Sequence, residues 1–339
     1  MSAAEDNPQV ALRRLVAGYQ VSQALHVAAT LKLADLLADG SRTSDELAAA
    51  TGTHSDALYR LLRALATVGV FQELDGRRFE LKPLGEGLRT DAPGSIHGWA
   101  AFIGRPYIWQ AWSSLLHSVR TGENAFRHVH GTDPWTYRAQ NPDESEIFDA
   151  AMTSLTGQSE AAIVDAYDFG RFDEVVDVAG GRGTLLAAVL AAYPTLRGVL
   201  FDQPHVVADA GELVRAAGVA DRCRIVGGSF FESVPEGADA YMLKSIIHDW
   251  EDEEAILILR VCRAAMSPHA VVLVVERDLG APNEDPVAKF LDLLMLVGPG
   301  GRERTEDEYA ALFAAADLTY VGATPTAAAI SLYEARVHR

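Results

Sequence analysis

The stretch Asp177–Leu186, DVAGGRGTLL, joins a short apolar run, Glu174–Val178, to a helical pattern that continues to Ala192. A strand that ends in a glycine-rich turn and passes straight into a helix brings two properties together. The glycines let backbone approach a ligand closely, and the helix start offers unpaired N–H groups to an electron-rich part of it. A tight turn without a ligand has the same appearance, so the turn by itself leaves the question open.

Working outward, short apolar runs at Gly198–Phe201, Cys223–Val226, Ala240–Ile247 and Val271–Glu276 alternate with helical patterns such as Thr184–Ala192 and Glu253–Met266. Alternation of this kind predicts an α/β domain, a doubly wound Rossmann-like parallel sheet with helices on both faces. Its ligand belongs at the carboxyl ends of the strands, where the strand order reverses. Glycine turns of this type serve dinucleotides, nucleotides and S-adenosylmethionine, and two details narrow the choice. The pattern Gly181-x-Gly183-x-x-Leu186 lacks the third glycine of the dinucleotide fingerprint, and no GxxxxGK is present for a nucleoside triphosphate. Asp202 closes the next strand about 20 residues on, where a carboxylate accepts hydrogen bonds from both ribose hydroxyls, so an unphosphorylated adenosine is implied.

The chain has 339 residues, 49% of them hydrophobic, enough for one large or two modest cores. Its formal charge of −18 disfavours phosphate backbones and anionic lipid, so neither nucleic acid nor a membrane surface is an expected partner. Cys223 and Cys262 signal no disulfide framework, and an acidic N-terminus with no long apolar run predicts neither export nor a membrane helix; the expectation is cytoplasmic.

Residues 10–39 read as one helix stopped by Gly40, either packed in the core or facing a partner subunit. A helix opening at Thr43 or Ser44, a second near Ser55–Val68 and two short strands about Asp75-Gly76 then read as a winged helix. Between Thr43 and Thr90, six basic residues stand against seven acids, a balance of 6 − 7 = −1, which is no phosphate-binding footprint. A structural or dimerising module fits better. From Ser95 to Tyr167 the chain is helical and aromatic, with Trp99, Phe102, Tyr107 and Trp109 among rings that fill a core or wall an apolar pocket. The expected domains are therefore 1–95, an all-helical winged-helix dimerisation domain; 96–165, a helical substrate cap and linker; and 166–339, the Rossmann-like domain.

The run IIHDWEDEE, Ile246–Glu254, places a histidine where an apolar run ends and acids open a helix. Together with DVAGGRG, VLFDQPHVV, GGSFF, VVER and LVGPGGRERTEDEYAALFAAADL, this order resembles the S-adenosylmethionine-dependent small-molecule O-methyltransferases of plant phenolic and bacterial antibiotic pathways. The likeness runs from about residue 10 to 335. It implies an intertwined homodimer, S-adenosylmethionine as cofactor and a small aromatic or polyketide-like hydroxyl compound as substrate.

Position by position, the resemblance implies that Gly180, Gly181 and Gly183 form the cofactor turn, Asp202 takes the ribose, and Lys244 lies on the cofactor side. It makes His248 the general base, flanked by Glu276 and Glu303, and lines the acceptor pocket with Phe148, Met152 and Met295. Asp249 either contacts the substrate or caps the following helix, and its position favours the cap. An imidazole of reference pKa about 6.5 suits proton removal near neutral pH when a carboxylate fixes its tautomer.

Two positions depart from the family pattern. Ala179 stands where a third glycine is common, a mild change if its φ is negative. Ser229 replaces an aspartate that reads the adenine edge, which passes adenine recognition to Phe230 and backbone groups. The departure keeps an alternative open, a relative that binds the cofactor yet performs hydroxylation, decarboxylation or ring closure. The scheme requires no metal. His128-x-His130 could offer two ligands on one strand face, but the sequence shows no third, and a solvent-facing loop is the expectation.

Overall fold

The computed structural model describes residues 7–156 and 159–337. The chain forms two compact units, Met1–Trp109 with Glu146–Leu155, and Gln110–Ser145 with Thr156–Arg339.

In the first unit the helix expected over 10–39 is broken into Pro8–Val16, Gly18–Thr30 and Leu33–Leu36. The second break falls at Lys32, whose left-handed φ of 50° no helix continues through. Ser44–Thr51 opens on a capping box between Thr43 and Glu46 and stops at Gly52. Ser55–Thr67 buries Leu58, Leu62 and Leu65, the helical spacing of one apolar face. Strands β1 (Arg42–Thr43), β2 (Phe71–Leu74) and β3 (Arg78–Leu81) form an antiparallel sheet in the order β1-β3-β2, so the wing has one strand more than its sequence suggests. Gly98 lets the His97–Ile103 helix meet the Pro142–Thr156 helix, because a Cβ there would stand 2.6 Å from the Ala150 carbonyl oxygen.

The second unit holds β4 (Glu174–Val178), β5 (Arg197–Asp202), β6 (Cys223–Gly227), β7 (Ala240–Lys244), β8 (Val271–Glu276), β9 (Leu318–Pro325) and β10 (Ser331–Val337). Their order is β6-β5-β4-β7-β8-β10-β9. The first five pair in parallel, and β10 inserts antiparallel between β8 and β9. All six residues of β8, VVLVVE, are buried, as befits a strand covered on both faces. Two apolar clusters flank the sheet, one around Tyr241, Ile258 and Phe313 and the other around Leu186, Leu200 and Met242. The strand order reverses between β4 and β7, and there the functional residues collect.

Candidate active site

Strand β7 ends at Lys244, three residues earlier than its apolar run suggests, because Ser245 takes a left-handed φ of 55°. The chain turns there and presents two N–H groups to one carboxylate: Ile246 and His248 donate to Glu276 Oε1 at 3.0 and 3.3 Å. Glu276 closes β8, so the sheet itself sets its position. His248 lies in the Ile247–Asp249 3-10 turn and is buried.

The imidazole is bracketed. Its Nδ1 stands 2.7 Å from Glu303 Oε1 and 3.4 Å from Glu276 Oε2, while its Nε2 stands 3.7 Å from Asp249 Oδ1. An ionised carboxylate can only accept, so Nδ1 carries the hydrogen and Nε2 is the nitrogen left for a reacting proton. Burial pushes against a charged ring, but Glu276, Glu303 and Asp249 outweigh it and raise His248 to about 10. This differs from the near-neutral imidazole expected of a lone histidine. Burial raises Glu276 to about 7 despite the neighbouring ring, and raises Asp249 to about 6 against the pull of His248 and Arg138.

Asp249 does not cap the next helix. The N-cap of Asp252–Ala265 is Glu251, and Asp249 sits two residues earlier, beside the imidazole. The GGRERT loop closes on the same turn. A Cβ on Gly301 would fall 2.2 Å from the His248 carbonyl oxygen and 2.3 Å from the Trp250 nitrogen, so only glycine admits the approach that delivers Glu303. Arg304 then fastens the turn: buried, it donates to the carbonyls of Ile247 (3.0 Å) and Trp250 (2.9 Å) and to Asp252 Oδ1 (2.8 Å). Asp292 Oδ1 accepts from Glu303 N at 3.0 Å. Sequence reasoning missed Arg304 and Asp292, although Arg304 stands inside the GGRERT motif.

At the glycine turn, Asp202 Oδ2 accepts from Gly181 N at 2.8 Å and Oδ1 accepts from Gln203 N at 2.6 Å. Gly181 and Gly183 have φ of 59° and 87°, and a Cβ on Gly180 would stand 2.5 Å from Asp177 Oδ2. Asp177 is a further residue the sequence did not single out. It is 2% exposed, its Oδ2 has no hydrogen-bond partner, and burial followed by the Asp202 charge pushes it up to about 7. Ala179 has φ of 57°, not the negative value that would make its replacement of glycine mild.

Lys244 is lowered by burial against the opposing pull of Glu276, Asp177 and Glu160. Glu160, also unflagged by the sequence, keeps one buried oxygen without a hydrogen-bond partner and is raised by burial. Ser229 Oγ accepts from Phe231 N at 3.3 Å, and Phe230, Phe231 and Trp250 pack ring against ring at 4.7–5.9 Å. Met295 is buried in the second unit on the Pro286–Val297 helix. Phe148 and Met152 belong to the first unit, where Phe148 meets Phe102 edge-on at 5.4 Å. His128 and His130 lie on the Ala125–His130 helix, not on a strand or a loop, and His130 packs on Phe126 at 4.5 Å.

Residues 112–319 match the O-methyltransferase domain, and residues 13–91 match the O-methyltransferase dimerisation domain. The chain belongs to the O-methyltransferase family. It is an S-adenosylmethionine-dependent O-methyltransferase, and its N-terminal dimerisation domain makes it a homodimer. It is 44% identical to phenazine O-methyltransferase PhzM of Lysobacter antibioticus over 96% of this chain and 95% of that one. The crystal structure of LaPhzM matches with a TM-score of 0.95 and 43% identity, covering 98% of this chain and 100% of that chain. The O-methyltransferase NcsB1 from neocarzinostatin biosynthesis, solved with S-adenosylmethionine and 2-hydroxy-5-methyl naphthoic acid, matches with a TM-score of 0.81 and 36% identity, covering 94% of this chain and 96% of that one. Aclacinomycin 10-hydroxylase RdmB of Streptomyces purpurascens is 37% identical over 87% of this chain and 80% of that relative.

The O-methyltransferase turn suits its cofactor. Each Asp202 oxygen already takes one backbone N–H and retains capacity for a ribose hydroxyl, and Glu160 and Lys244 together offer opposite charges to an amino-acid zwitterion. Among the described residues no helix is long and apolar enough to cross a membrane.

Proposed function

We propose that this O-methyltransferase methylates a hydroxyl of an aromatic or polyketide-like small molecule in secondary metabolism, by in-line displacement with His248 as the proton acceptor. The observation that carries the reading is the 2.7 Å pairing of His248 Nδ1 with Glu303, which makes Nε2 the nitrogen through which this buried ring exchanges a proton. Gly180, Gly181 and Gly183 would hold the cofactor through backbone, Asp202 its ribose, Ser229 and Phe230 its adenine, and Lys244 with Glu160 its amino-acid portion. When bound, S-adenosylmethionine supplies a methyl group activated by the positive sulfonium. Asp249 and Met295 would contact the acceptor.

The raised imidazole suits a phenol. A phenolic hydroxyl has a reference pKa of about 10, so moving its proton to a ring raised to about 10 is nearly thermoneutral. The reactive pair is phenolate beside imidazolium, whether the acceptor lost its proton before binding or to His248 afterwards. Glu276 and Glu303 stabilise the imidazolium, and Arg304 and Gly301 hold the turn so that this electrostatic arrangement stands ready before the acceptor arrives. A base so placed contributes about 10² to 10⁴ in rate.

The relationship to the hydroxylase RdmB favours a second reading, in which the bound cofactor supports hydroxylation, decarboxylation or ring closure. Mass spectrometry of reactions with a panel of phenols separates the two, since transfer adds one methyl group and consumes one cofactor. His248→Gln is expected to lower turnover by about 10² or more while calorimetry finds unchanged cofactor affinity; Asp202→Ala should lose that affinity. Undiminished turnover in His248→Gln would remove His248 from the chemistry. Substrate conversion without cofactor consumption would favour the second reading.

A further inference from the structure

Away from the reacting centre, the short helices Leu115–Thr121 and Ala125–His130 meet at a tight turn and bring His117, Glu123 and His128 together. His117 Nε2 lies 2.7 Å and His128 Nδ1 3.9 Å from the same Glu123 oxygen. The two imidazoles stack with centroids 3.6 Å apart and planes inclined by 14°. One ligand atom from each residue lies within 4.8 Å of the others. The partners that His128 lacks in its own helix therefore come from the helix before it, His117, and from the turn between the two, Glu123.

The turn is held by its own hydrogen bonds. Thr121 Oγ1 donates to the His117 carbonyl at 2.9 Å and accepts from Glu123 N at 3.1 Å. Asn124 accepts from Arg127 N at 2.9 Å and donates to the carbonyls of Leu296 and Gly298 at 2.8 and 3.0 Å. The turn that carries the three potential ligands is thus fixed, so little backbone order remains to be imposed on binding.

The distances suit a shared metal ion. Zinc–nitrogen and zinc–oxygen bonds of about 2.0–2.2 Å at tetrahedral angles set donor atoms roughly 3.3 Å apart. The observed 2.7 and 3.9 Å bracket that spacing, but the two rings lie nearly parallel, so an ion in the plane of both requires one imidazole to turn out of the stack about its side-chain torsions. We propose that His117, Glu123 and His128 form a binding site for a divalent transition cation such as Zn²⁺, held by two imidazole nitrogens and one carboxylate with water completing the shell. The donor set of two nitrogens and one oxygen selects a borderline ion over Mg²⁺ or Ca²⁺, which prefer oxygen ligands. Through Asn124, the ion would stiffen the turn that grips the end of the Met295-bearing helix.

The test uses the full-length protein, freed of metal with a chelator and titrated with Zn²⁺ by calorimetry and with Co²⁺ by visible absorption. One equivalent should bind per chain, with Co²⁺ showing the intense bands of low coordination number. His117→Ala and His128→Ala should each weaken binding by at least about tenfold. His269→Ala, which removes an exposed histidine elsewhere, should leave it unchanged. Binding that survives both ligand variants, or that is weakened equally by His269→Ala, would make this an adventitious ion only. Mg²⁺ competing on equal terms with Zn²⁺ would overturn the proposed donor chemistry.

Discussion

At the end of β5, Asp202 is met by two backbone N–H groups, from Gly181 and Gln203; at the end of β8, Glu276 is met by two backbone N–H groups and an imidazole. Both carboxylates close parallel strands, and burial raises the pKa of each. The difference is what else can answer the charge. Backbone amides are fixed dipoles that cannot give up a proton at any working pH, so the first arrangement can hold a ligand but not exchange with it. The second contains a group whose protonation can change. The lesson is that ends of parallel strands with similar buried acids separate into a binding end and a proton-handling end according to whether a basic titratable side chain is in direct contact.

Removing one charge from the proton-handling end should produce the largest effect. In Glu303→Gln the amide oxygen still accepts the Nδ1 hydrogen bond, so the ring keeps its tautomer while the adjacent negative charge disappears. Because that charge helps to raise His248 to about 10, its loss lowers the imidazole pKa. A unit charge about 4 Å away at an effective dielectric near 20 is worth about 4 kcal/mol, so the alkaline rise of kcat/KM should begin roughly one to three pH units lower in the variant. Parallel pH–rate profiles of the two proteins measure the shift. Identical profiles would mean that His248 does not set the rising limb. The equivalent change at the binding end, Asp202→Asn, should alter cofactor affinity and leave the position of that limb alone.

A smaller effect is expected from Asp177, which lies between the two ends and has one buried oxygen without a partner. Its folded-state pKa, about 7, lies above the 3.8 of an ordinary aspartate, so protonation accompanies folding. The resulting stabilisation is complete below pH 3.8 and is lost as pH rises through about 7. Asp177→Asn removes the titrating group at nearly constant shape. Between pH 5 and 8 the stability of the parent protein should therefore fall relative to the variant by an amount on the order of a few kcal/mol. Chemical denaturation at both pH values provides the comparison. Equal pH dependence in the two proteins would show that Asp177 is ionised throughout, with Lys244 answering its charge.

What the sequence disclosed follows the same division. The five parallel strands, the glycine turn and the wing hairpin were legible because each is written in local pattern: a β-branched run, a turn residue, a capping position. β9 and β10 were not. β9 is mostly half-buried or exposed and carries Gly322 and Pro325, and β10 takes its place by pairing with β8, far away in the chain. The break at Lys32 and the early end of β7 at Ser245 were hidden for a related reason, since both are non-glycine residues at positive φ, which local preference opposes. His248, Glu276 and Glu303 stand out in the motifs, but the shift of the imidazole arises only when β8 and the GGRERT loop bring two carboxylates to one nitrogen. Arg304, Asp177 and Glu160 act through burial, which spacing alone does not reveal.

The smallest effect concerns Ala179, which leads β4 into the glycine turn with φ of 57°. A left-handed conformation costs a residue with a Cβ about 1–2 kcal/mol, and glycine avoids that cost. Glycine also enlarges the unfolded ensemble, which takes back about 0.4–1 kcal/mol. Ala179→Gly should therefore stabilise the protein by up to about 1 kcal/mol, visible as a higher denaturant midpoint at unchanged slope. Because Ala179 touches neither the imidazole nor its carboxylates by any contact described above, the pH–rate profile should stay in place. A lower midpoint would mean that the methyl group packs against its surroundings by more than the backbone strain it imposes. A displaced profile would mean that the turn and the histidine are coupled, and that the binding end and the proton-handling end are one mechanical element after all.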